Sequence, residues 1–181
     1  MGKLTLILGG ARSGKSSYAQ SLAEESGKSV TFIATAQALD DEMSARIQKH
    51  RAERSASWET LEVPFNIVSC VQQIRSNIVI LDCVTLLISN LLMQFVENDL
   101  VEEAPFMMAV QKEINELISM LRAREQEQDW LIISNEVGLG LVPAYQMGRV
   151  YRDAIGWANQ RLAREADKVI FMVAGIPATI K

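Results

Sequence analysis

Residues 4–25 read LTLILGGARSGKSSYAQSLAEE, and this stretch decides the fold of the chain. The apolar run 4–9 predicts a strand buried on both faces, and the residues from Lys15 onwards have helical spacing. Between them lies the pattern G-x-x-x-x-G-K-S, from Gly9 to Ser16, in the strand–loop–helix context that a phosphate-binding loop requires. Its glycines let backbone N–H groups point at a β-phosphate, Lys15 reaches the β- and γ-phosphates, and the Ser16 hydroxyl ligates magnesium.

Apolar runs at 30–35, 77–82, 130–135 and 168–175 alternate with longer segments of helical spacing along the rest of the chain. Two of these segments, 64–75 and 84–98, each predict a helix. They are nearly continuous in Val, Ile and Leu, which is typical of strands covered on both faces. Residues 58–63 could add a short extra strand. The alternation predicts an α/β fold of the P-loop NTPase type, with a mainly parallel sheet flanked by helices in three layers. Because no linker rich in Gly, Pro or Ser is present, we expect one catalytic domain over residues 1–181.

The composition bears on several classes of protein. Hydrophobic residues make up 49% and charged residues 22%, which favours a folded chain over a disordered one. The net charge of −4 offers no general attraction to nucleic acid or anionic lipid, so we expect any anion site to be local. We interpret Cys70 and Cys83, in apolar surroundings, as buried thiols. With no signal peptide and no apolar run long enough to span a bilayer, we expect a cytoplasmic protein.

Polar residues follow two of the predicted strands. Asp82 ends the run 77–82 and is a candidate magnesium ligand, because P-loop proteins hold the metal with an acid on a neighbouring strand. Capping of the next helix is the alternative role for Asp82. Asn135 and Glu136 follow a further strand, in the crevice where open α/β sheets bind ligands. Glu136 could position a substrate or act as a base, and a helix cap or salt bridge is an equally good interpretation.

His50 is the only histidine of the chain and lies in its most basic stretch. Residues 39–54 predict a helix with acidic residues in its first turn and basic residues in its last, which complements the helix dipole. Leu39, Met43, Ile47 and His50 share one face of it, and the helix follows a strand whose end faces the phosphate crevice. A neutral imidazole has a lone pair that can attack an α-phosphate and form a nucleotidyl-histidine. A packed or helix-terminal residue is the alternative interpretation. Four cations lie near this histidine: Arg46, Lys49, Arg51 and Arg54.

Six segments, in order over nearly the whole chain, read GGARSGKSS, IATAQALDDEMSARIQKHR, WETLE, LDCVTLLISNLL, SNEVGLGLVP and GRVYRDAIGWANQRLA. Together they resemble the bifunctional adenosylcobinamide kinase / adenosylcobinamide-phosphate guanylyltransferase family of cobalamin biosynthesis. The resemblance implies that ATP or GTP phosphorylates the aminopropanol hydroxyl of adenosylcobinamide. It further implies that GTP guanylylates a histidine and that the GMP passes to the new phosphate, giving adenosylcobinamide-GDP. That histidine can only be His50; some members have two adjacent histidines where this chain has Lys49 and His50.

By position, the resemblance also implies a nucleotide site that extends beyond the phosphate loop. Its members are Gly9, Gly10, Ala11, Arg12, Ser13, Gly14, Lys15, Ser16, Ala34, Thr35, Ala36, Arg51, Ala52, Glu53, Arg54, Glu62 and Val84. Glu62 suits a guanine reader, because a carboxylate can accept both N1–H and N2–H of that base; a plain surface carboxylate is its alternative. His50 and Lys15 are the catalytic candidates, and Ser16 and Asp82 are the candidate Mg²⁺ ligands.

The resemblance implies a homotrimer, and the aromatic C-terminal helix could supply an interface. Two other readings of the sequence stay open at this stage. A monofunctional P-loop kinase of another small metabolite would leave His50 without a role. A non-catalytic switch-type nucleotide-binding protein is less well supported, because the chain has no guanine-reading NKxD motif.

Overall fold

The structure is a computed structural model that describes residues 2–38, 40–52, 54–98, 100–123 and 128–181, without the side chain of Arg46. The strands in these residues are β1 (Leu4–Gly9), β2 (Val30–Ala34), β3 (Glu59–Glu62), β4 (Ile78–Asp82), β5 (Val96–Glu97), β6 (Leu100–Val101), β7 (Asp129–Ile133), β8 (Lys168–Val173) and β9 (Ile176–Thr179). The α-helices are α1 (Lys15–Glu25), α2 (Asp41–Ala52), α3 (Val84–Leu92), α4 (Glu103–Arg122) and α5 (Gln146–Glu165). The six predicted strands are therefore confirmed, with ends that differ by one or two residues.

Seven strands form one sheet in the order β3-β2-β4-β7-β1-β8-β9. Every neighbouring pair is parallel except β8 and β9, which are antiparallel, so the prediction of a mainly parallel sheet is confirmed. The sequence interpretation extended the last strand to residue 175 and missed β9. Ala174 and Gly175 have φ of 50° and 83°, and these left-handed values close the tight turn that reverses the chain.

Helices cover both faces of the sheet, as predicted. On one face α1 buries Ala19 and Ala23 against strand residues such as Phe32. On the other face α3, α4 and α5 pack together over a larger core, to which Phe106 and Ile155 belong. Each fully buried side chain of this size contributes about 1.5–3 kcal/mol, so the two cores account for the layered architecture.

Two segments with helical spacing differ from the prediction. The segment 84–98 was expected to be one helix, but α3 ends at Leu92 and a hairpin of β5 and β6 follows. Asn98, with φ of 50°, sits in the hairpin turn, and Asn tolerates this left-handed conformation. The segment 64–75 contains a short 3₁₀-helix, Ile67–Gln73, instead of an α-helix. The buried Glu113 carboxylate accepts the N–H groups of Asn66 and Ile67 at 3.0 and 2.8 Å and fixes its start.

The carboxyl ends of four strands meet at one edge of the sheet. There the Thr35 N–H donates to Asp82 O at 3.0 Å, and the Glu136 N–H donates to Gly9 O at 3.1 Å. The phosphate loop, Asp82 and the residues after β2 and β7 are thus brought to the same edge. Within the part of the chain that the structure describes, no helix is both long and apolar enough to cross a membrane.

Candidate active site

The phosphate loop is a tight turn that depends on left-handed backbone conformations. Gly9, Arg12 and Gly14 have φ of 151°, 56° and 92°. A Cβ at Gly9 would lie 2.6 Å from the Met172 main-chain oxygen, closer than any real Cβ contact. Glycine at this position is therefore required by both conformation and space.

Lys15 folds back across the loop. Its Nζ donates to Gly10 O at 2.6 Å and lies 3.5 Å from Ser13 Oγ. Only 7% of the residue is exposed, and this burial lowers the pKa of Lys15, while Cys83 and Asp82 act in the opposite direction. The ammonium group is thus held at the loop, where a phosphate could replace its carbonyl partner.

Asp82 lies at the centre of the charged groups of the site. Burial raises the pKa of Asp82; a hydrogen bond from Ser16 and the electrostatic effects of His50, Arg54 and Lys15 oppose that rise. The hydroxyl of Ser16 and the carboxylate of Asp82 are therefore adjacent, as the predicted metal pair requires. Both are hard oxygen donors of the kind that Mg²⁺ prefers.

These groups surround a cleft of about 560 Å³, a size typical of small-molecule sites. The predicted site residues that line it are Ala11, Arg12, Ser13, Gly14, Lys15, Ser16, Ala34, Ala36, His50, Arg54, Glu62 and Asp82. The phosphate loop, the lone histidine, the metal candidates and the guanine reader thus share one cavity.

Other predicted site residues do not line the cleft. Thr35 is buried and ties β2 to β4, since its hydroxyl donates to Cys83 O and accepts from Cys83 N, both at 2.8 Å. Val84 is fully buried in the core, and Ala52 lies exposed at the end of α2. Gly9, Gly10 and Arg51 are also absent from the lining, and Glu53 lies outside the described residues. Their nucleotide-binding roles stay predictions.

His50 is exposed and faces the cleft together with Met43 and Ile47. The predicted shared face of α2 is confirmed for these three residues, whereas Leu39 lies outside the described residues. The interpretation of His50 as a packed residue does not hold, because the residue is exposed; its position in the last turn of α2 agrees with the helix-terminal alternative. Its effect on the pKa of Asp82 places it within electrostatic reach of the proposed metal ligands.

Arg54 supplies a fixed cation beneath the same cleft. Its guanidinium carbon lies 3.6 Å from the centroid of the Phe32 ring, a cation–π contact. Burial lowers the pKa of Arg54, and the negative charge of Asp82 opposes this effect. Its buried Nε has no hydrogen-bond partner among the described residues. The basic stretch predicted this cation, but no feature of the residue spacing indicated the aromatic ring on which it packs.

Glu62, the predicted guanine reader, is held by a salt bridge with Arg51. The Arg51 Nη2 to Glu62 Oε1 distance is 2.8 Å, and both side chains are more than half exposed. An exposed pair of this kind contributes about 0–1 kcal/mol, so a ligand can displace Arg51 from the carboxylate at little cost.

The two cysteines and Glu136 are further titratable groups that the sequence analysis singled out. Burial, followed by the charge of Asp82, raises the pKa of the Cys83 thiol to about 11, so this thiol is protonated at neutral pH and is a poor nucleophile. Cys70 and Cys83 are both free and buried, as predicted. Glu136 does not line the cleft; its Oε1 accepts the Gly138 N–H at 2.7 Å within its own loop.

The β8–β9 turn braces the phosphate loop, a contact that the sequence interpretation missed. The Gly175 N–H donates to Ser13 O at 3.1 Å, and a Cβ at Gly14 would lie 3.3 Å from the Gly175 Cα. The only local signal was the Ala174–Gly175 pair, which is typical of turns.

The comparisons with known proteins agree with this site. The sequence profile of the cobinamide kinase / cobinamide phosphate guanyltransferase family matches residues 5–180. The chain belongs to this family. The resemblance stated from the motifs is therefore confirmed.

Two relatives match this chain over nearly the full length of both aligned sequences. The bifunctional adenosylcobalamin biosynthesis protein CobP of Pseudomonas aeruginosa is 40% identical over 97% of this chain and 96% of its own length. The bifunctional adenosylcobalamin biosynthesis protein CobU of Escherichia coli is 39% identical over 98% of this chain and 99% of its own length. Members of the cobinamide kinase / cobinamide phosphate guanyltransferase family thus share the whole of this fold with the present chain.

A solved structure of distant sequence shares the fold. A prototypical ATPase from the type III secretion system of pathogenic bacteria is 10% identical, with a TM-score of 0.54 over 99% of this chain and 57% of that one. The prediction of an α/β fold with a mainly parallel sheet flanked by helices is confirmed by this likeness together with the observed sheet.

Proposed function

We propose that this chain, as a single catalytic domain over residues 1–181, carries out two successive reactions of cobalamin biosynthesis. ATP or GTP phosphorylates adenosylcobinamide, and GMP from GTP then passes to the new phosphate to give adenosylcobinamide-GDP. Family membership and the bifunctional relatives support the pair of reactions. The observation that carries the proposal is that the only histidine of the chain is exposed in the same cleft as the phosphate loop.

The kinase step relies on the phosphate loop. Backbone N–H groups of the loop and the N-terminus of α1 would bind the β- and γ-phosphates. Lys15 would exchange its Gly10 carbonyl partner for a phosphate oxygen, a charge-assisted and therefore stronger hydrogen bond. The buried position of this lysine means that its charge acts on the phosphates with little screening by water.

Ser16 and Asp82 are the proposed ligands of Mg²⁺. Among the described residues there is no group of three or more His, Cys, Asp or Glu side chains that could hold a metal ion, so nucleotide phosphates would complete the coordination. When bound, the metal neutralises charge on the phosphates. The adjacent groups Arg54 and Lys15 oppose the rise that burial causes in the pKa of Asp82.

His50 is the proposed acceptor of GMP. An imidazole nitrogen attacks the α-phosphorus of GTP, the bond from that phosphorus to the bridging oxygen breaks, and pyrophosphate leaves with the electron pair. An oxygen of adenosylcobinamide phosphate then attacks the same phosphorus, and the P–N bond breaks to return the imidazole. Arg54, fixed on Phe32, would offset the negative charge that develops on the phosphate oxygens.

Glu62 is the proposed guanine reader. Its carboxylate would accept the N1–H and N2–H of guanine after Arg51 moves away, and adenine offers no matching pair of donors. The exposed Arg51–Glu62 salt bridge keeps the carboxylate oriented beside the cleft before the base arrives. Arg51 would then be available to a phosphate.

We also propose that the protein acts in the cytoplasm as a homotrimer, with small-molecule substrates and without nucleic acid as a partner. The family resemblance supports the trimer, and the net charge of −4 argues against general binding to nucleic acid.

Incubation with GTP labelled in its α-phosphate tests the histidine role. The wild-type chain should acquire an acid-labile covalent label and release pyrophosphate. His50→Ala should abolish this label while much of the kinase activity remains, because the kinase step does not use the imidazole. Gln48→Ala, an exposed change on the same helix outside the cleft lining, is the matched control and should keep both activities. Equal loss of both activities in His50→Ala would mean that the histidine is structural.

Lys15→Ala should reduce both reactions strongly, because one phosphate loop serves both nucleotides. Survival of guanylyl transfer in this variant would indicate a second nucleotide site.

A further inference from the structure

Asn135 follows the strand that lies between the strands leading to the phosphate loop and to Asp82. The preceding strand β7 lies between β1 and β4, and its Ile133 is level with Ile7 on one side and Asp82 on the other. The N–H groups of Ser134 and Glu136, which flank Asn135, donate to Ile7 O and Gly9 O at 3.0 and 3.1 Å. This register places Asn135 beside the start of the phosphate loop, and Asn135 is among the residues that line the cleft.

The side chain of Asn135 is anchored by one end of its amide. Its Nδ2 donates to Thr85 Oγ1 at 3.1 Å, and Thr85 is only 2% exposed. The main-chain oxygen of Asn135 accepts from Asn159 Nδ2 of α5 at 3.0 Å. Tyr151 of the same helix donates to Thr85 O at 3.0 Å, and burial raises the pKa of this phenol to about 12, so it stays a donor at neutral pH.

The anchored orientation determines which hydrogen-bonding group the Asn135 side chain offers to a ligand. One Nδ2 hydrogen is engaged by Thr85 in the wall of the cleft, which fixes the plane of the amide and leaves its oxygen as an acceptor for a ligand. An amide oxygen is an acceptor only, and phosphate oxygens are acceptors as well, so the two do not attract each other. The partner of the amide oxygen is therefore a hydrogen-bond donor, and the place of Asn135 beside the phosphate loop puts that donor near the transferred phosphoryl group.

We propose that the Asn135 amide oxygen accepts a hydrogen bond from the substrate hydroxyl that attacks the γ-phosphorus. This inference rests on the proposed function, which supplies a primary hydroxyl as the nucleophile. The hydroxyl oxygen forms the new bond to phosphorus, the bond to the bridging oxygen breaks, and the nucleoside diphosphate leaves with the electron pair. The hydroxyl proton passes to an oxygen of the transferred phosphoryl group, because a carboxamide is too weak a base to take it. Asn135 therefore positions the nucleophile and undergoes no change itself.

The role is confined to one of the two reactions. In guanylyl transfer the nucleophiles are the His50 nitrogen and then a phosphate oxygen, and neither approaches as a hydroxyl. Loss of the amide oxygen should therefore separate the kinase activity from the guanylyl transfer. A residue that only supported the cleft would affect both.

Asn135→Leu removes the amide while keeping the number and branching of the side-chain heavy atoms. We expect kcat of the kinase reaction to fall by about 10–100-fold, the cost of a misplaced nucleophile, with the KM for nucleotide little changed. Labelling of His50 by GTP should stay within about threefold of the wild type, since no hydroxyl is involved. Asn115→Ala, which removes an exposed amide on α4, is the matched control and should leave both reactions unchanged.

Thr85→Val provides a second variant that leaves Asn135 in place. It removes the hydroxyl that anchors the amide nitrogen, so the kinase kcat should fall in the same direction but by less than in Asn135→Leu. Thermal unfolding of each variant reports whether the fold is retained. If Asn135→Leu does not fold, the comparison of the two activities in Thr85→Val decides the question.

Three results would overturn this inference. They are equal loss of both activities, a rise in the KM for nucleotide or in the Mg²⁺ requirement with kcat unchanged, and full kinase activity in Asn135→Leu. A wild-type chain that performs neither reaction would instead refute the proposed function, and the two failures are thereby distinguished.

Discussion

Gly9→Ala tests whether the conformation of the phosphate loop requires a residue without a Cβ at position 9. The added Cβ would lie 2.6 Å from Met172 O and 2.7 Å from Ser13 Oγ, whereas ordinary contact begins at 3.4 Å. The distance from this Cβ to Met172 O is thus about 0.8 Å shorter than an ordinary contact. Overpacking of this kind costs about 1–3 kcal/mol. Alanine at a φ of 151° adds about 1–3 kcal/mol of backbone strain.

The loop, and not the sheet, should absorb this strain. Met172 belongs to β8, which is hydrogen-bonded to strands on both sides, so the easier movement is that of the loop away from β8. A displacement of nearly 1 Å at a phosphate site reduces kcat/KM by roughly 100-fold. At a cost of about 2 kcal/mol, the lower end of the range, the melting temperature should fall by about 4–8 °C.

Gly10→Ala is the matched control. A Cβ at Gly10 would meet no heavy atom of the described residues within 4 Å, and Gly10 is exposed. This variant should change stability by no more than about 0.5 kcal/mol. The assays are kinase turnover, labelling by α-labelled GTP, and thermal unfolding of both variants. If Gly9→Ala matched Gly10→Ala in activity and melting temperature, the steric reasoning would be refuted.

Two further predictions concern the charged groups of the cleft. Glu62→Gln loses one charge-assisted acceptor, worth about 1.5–3 kcal/mol, so the preference for GTP over ATP in nucleotidyl labelling should fall by about 10–100-fold. An unchanged ratio of kcat/KM values would rule out Glu62 as the base reader. Asp82→Asn should stabilise the nucleotide-free protein near pH 8 but not at pH 3. Burial raises the pKa of Asp82, so the folded state holds the proton more tightly and the wild type loses stability as pH rises through that pKa. The melting temperature should rise by about 2–4 °C for each kcal/mol relieved, and a difference between variant and wild type that does not grow with pH would contradict this reasoning.

The phosphate loop could be predicted from sequence because its determinants are local. Gly9, Gly14, Lys15 and Ser16 act within one strand–loop–helix unit, and the spacing of the pattern already fixes which atoms can reach a phosphate. The strands were recognisable for a similar reason, since burial on both faces demands continuous apolar residues. The face of α2 that carries His50 followed from helical periodicity alone.

The antiparallel strand β9 and the hairpin of β5 and β6 escaped prediction. Both depend on residues with left-handed backbone conformations, Gly175 with Ala174 in one turn and Asn98 in the other. Such residues are compatible with several local structures, and the strand pairing that chooses among them is a tertiary contact. The prediction of a helix over 64–75 was wrong for a comparable reason. The carboxylate of Glu113, 46 residues away from Ile67, fixes the start of the 3₁₀-helix that forms there instead.

By itself, the sequence determined that a phosphate loop follows the first strand, that the sheet is mainly parallel, and that one histidine stands among cations. Only the tertiary structure decided that Arg54 packs on the Phe32 ring and that Arg51 forms a salt bridge with Glu62. It also decided that the strand before Asn135 lies between the strands that lead to the phosphate loop and to Asp82. These relationships follow from the order of strands in the sheet. Strand order is set by packing between segments far apart in the chain, and local residue spacing does not encode it.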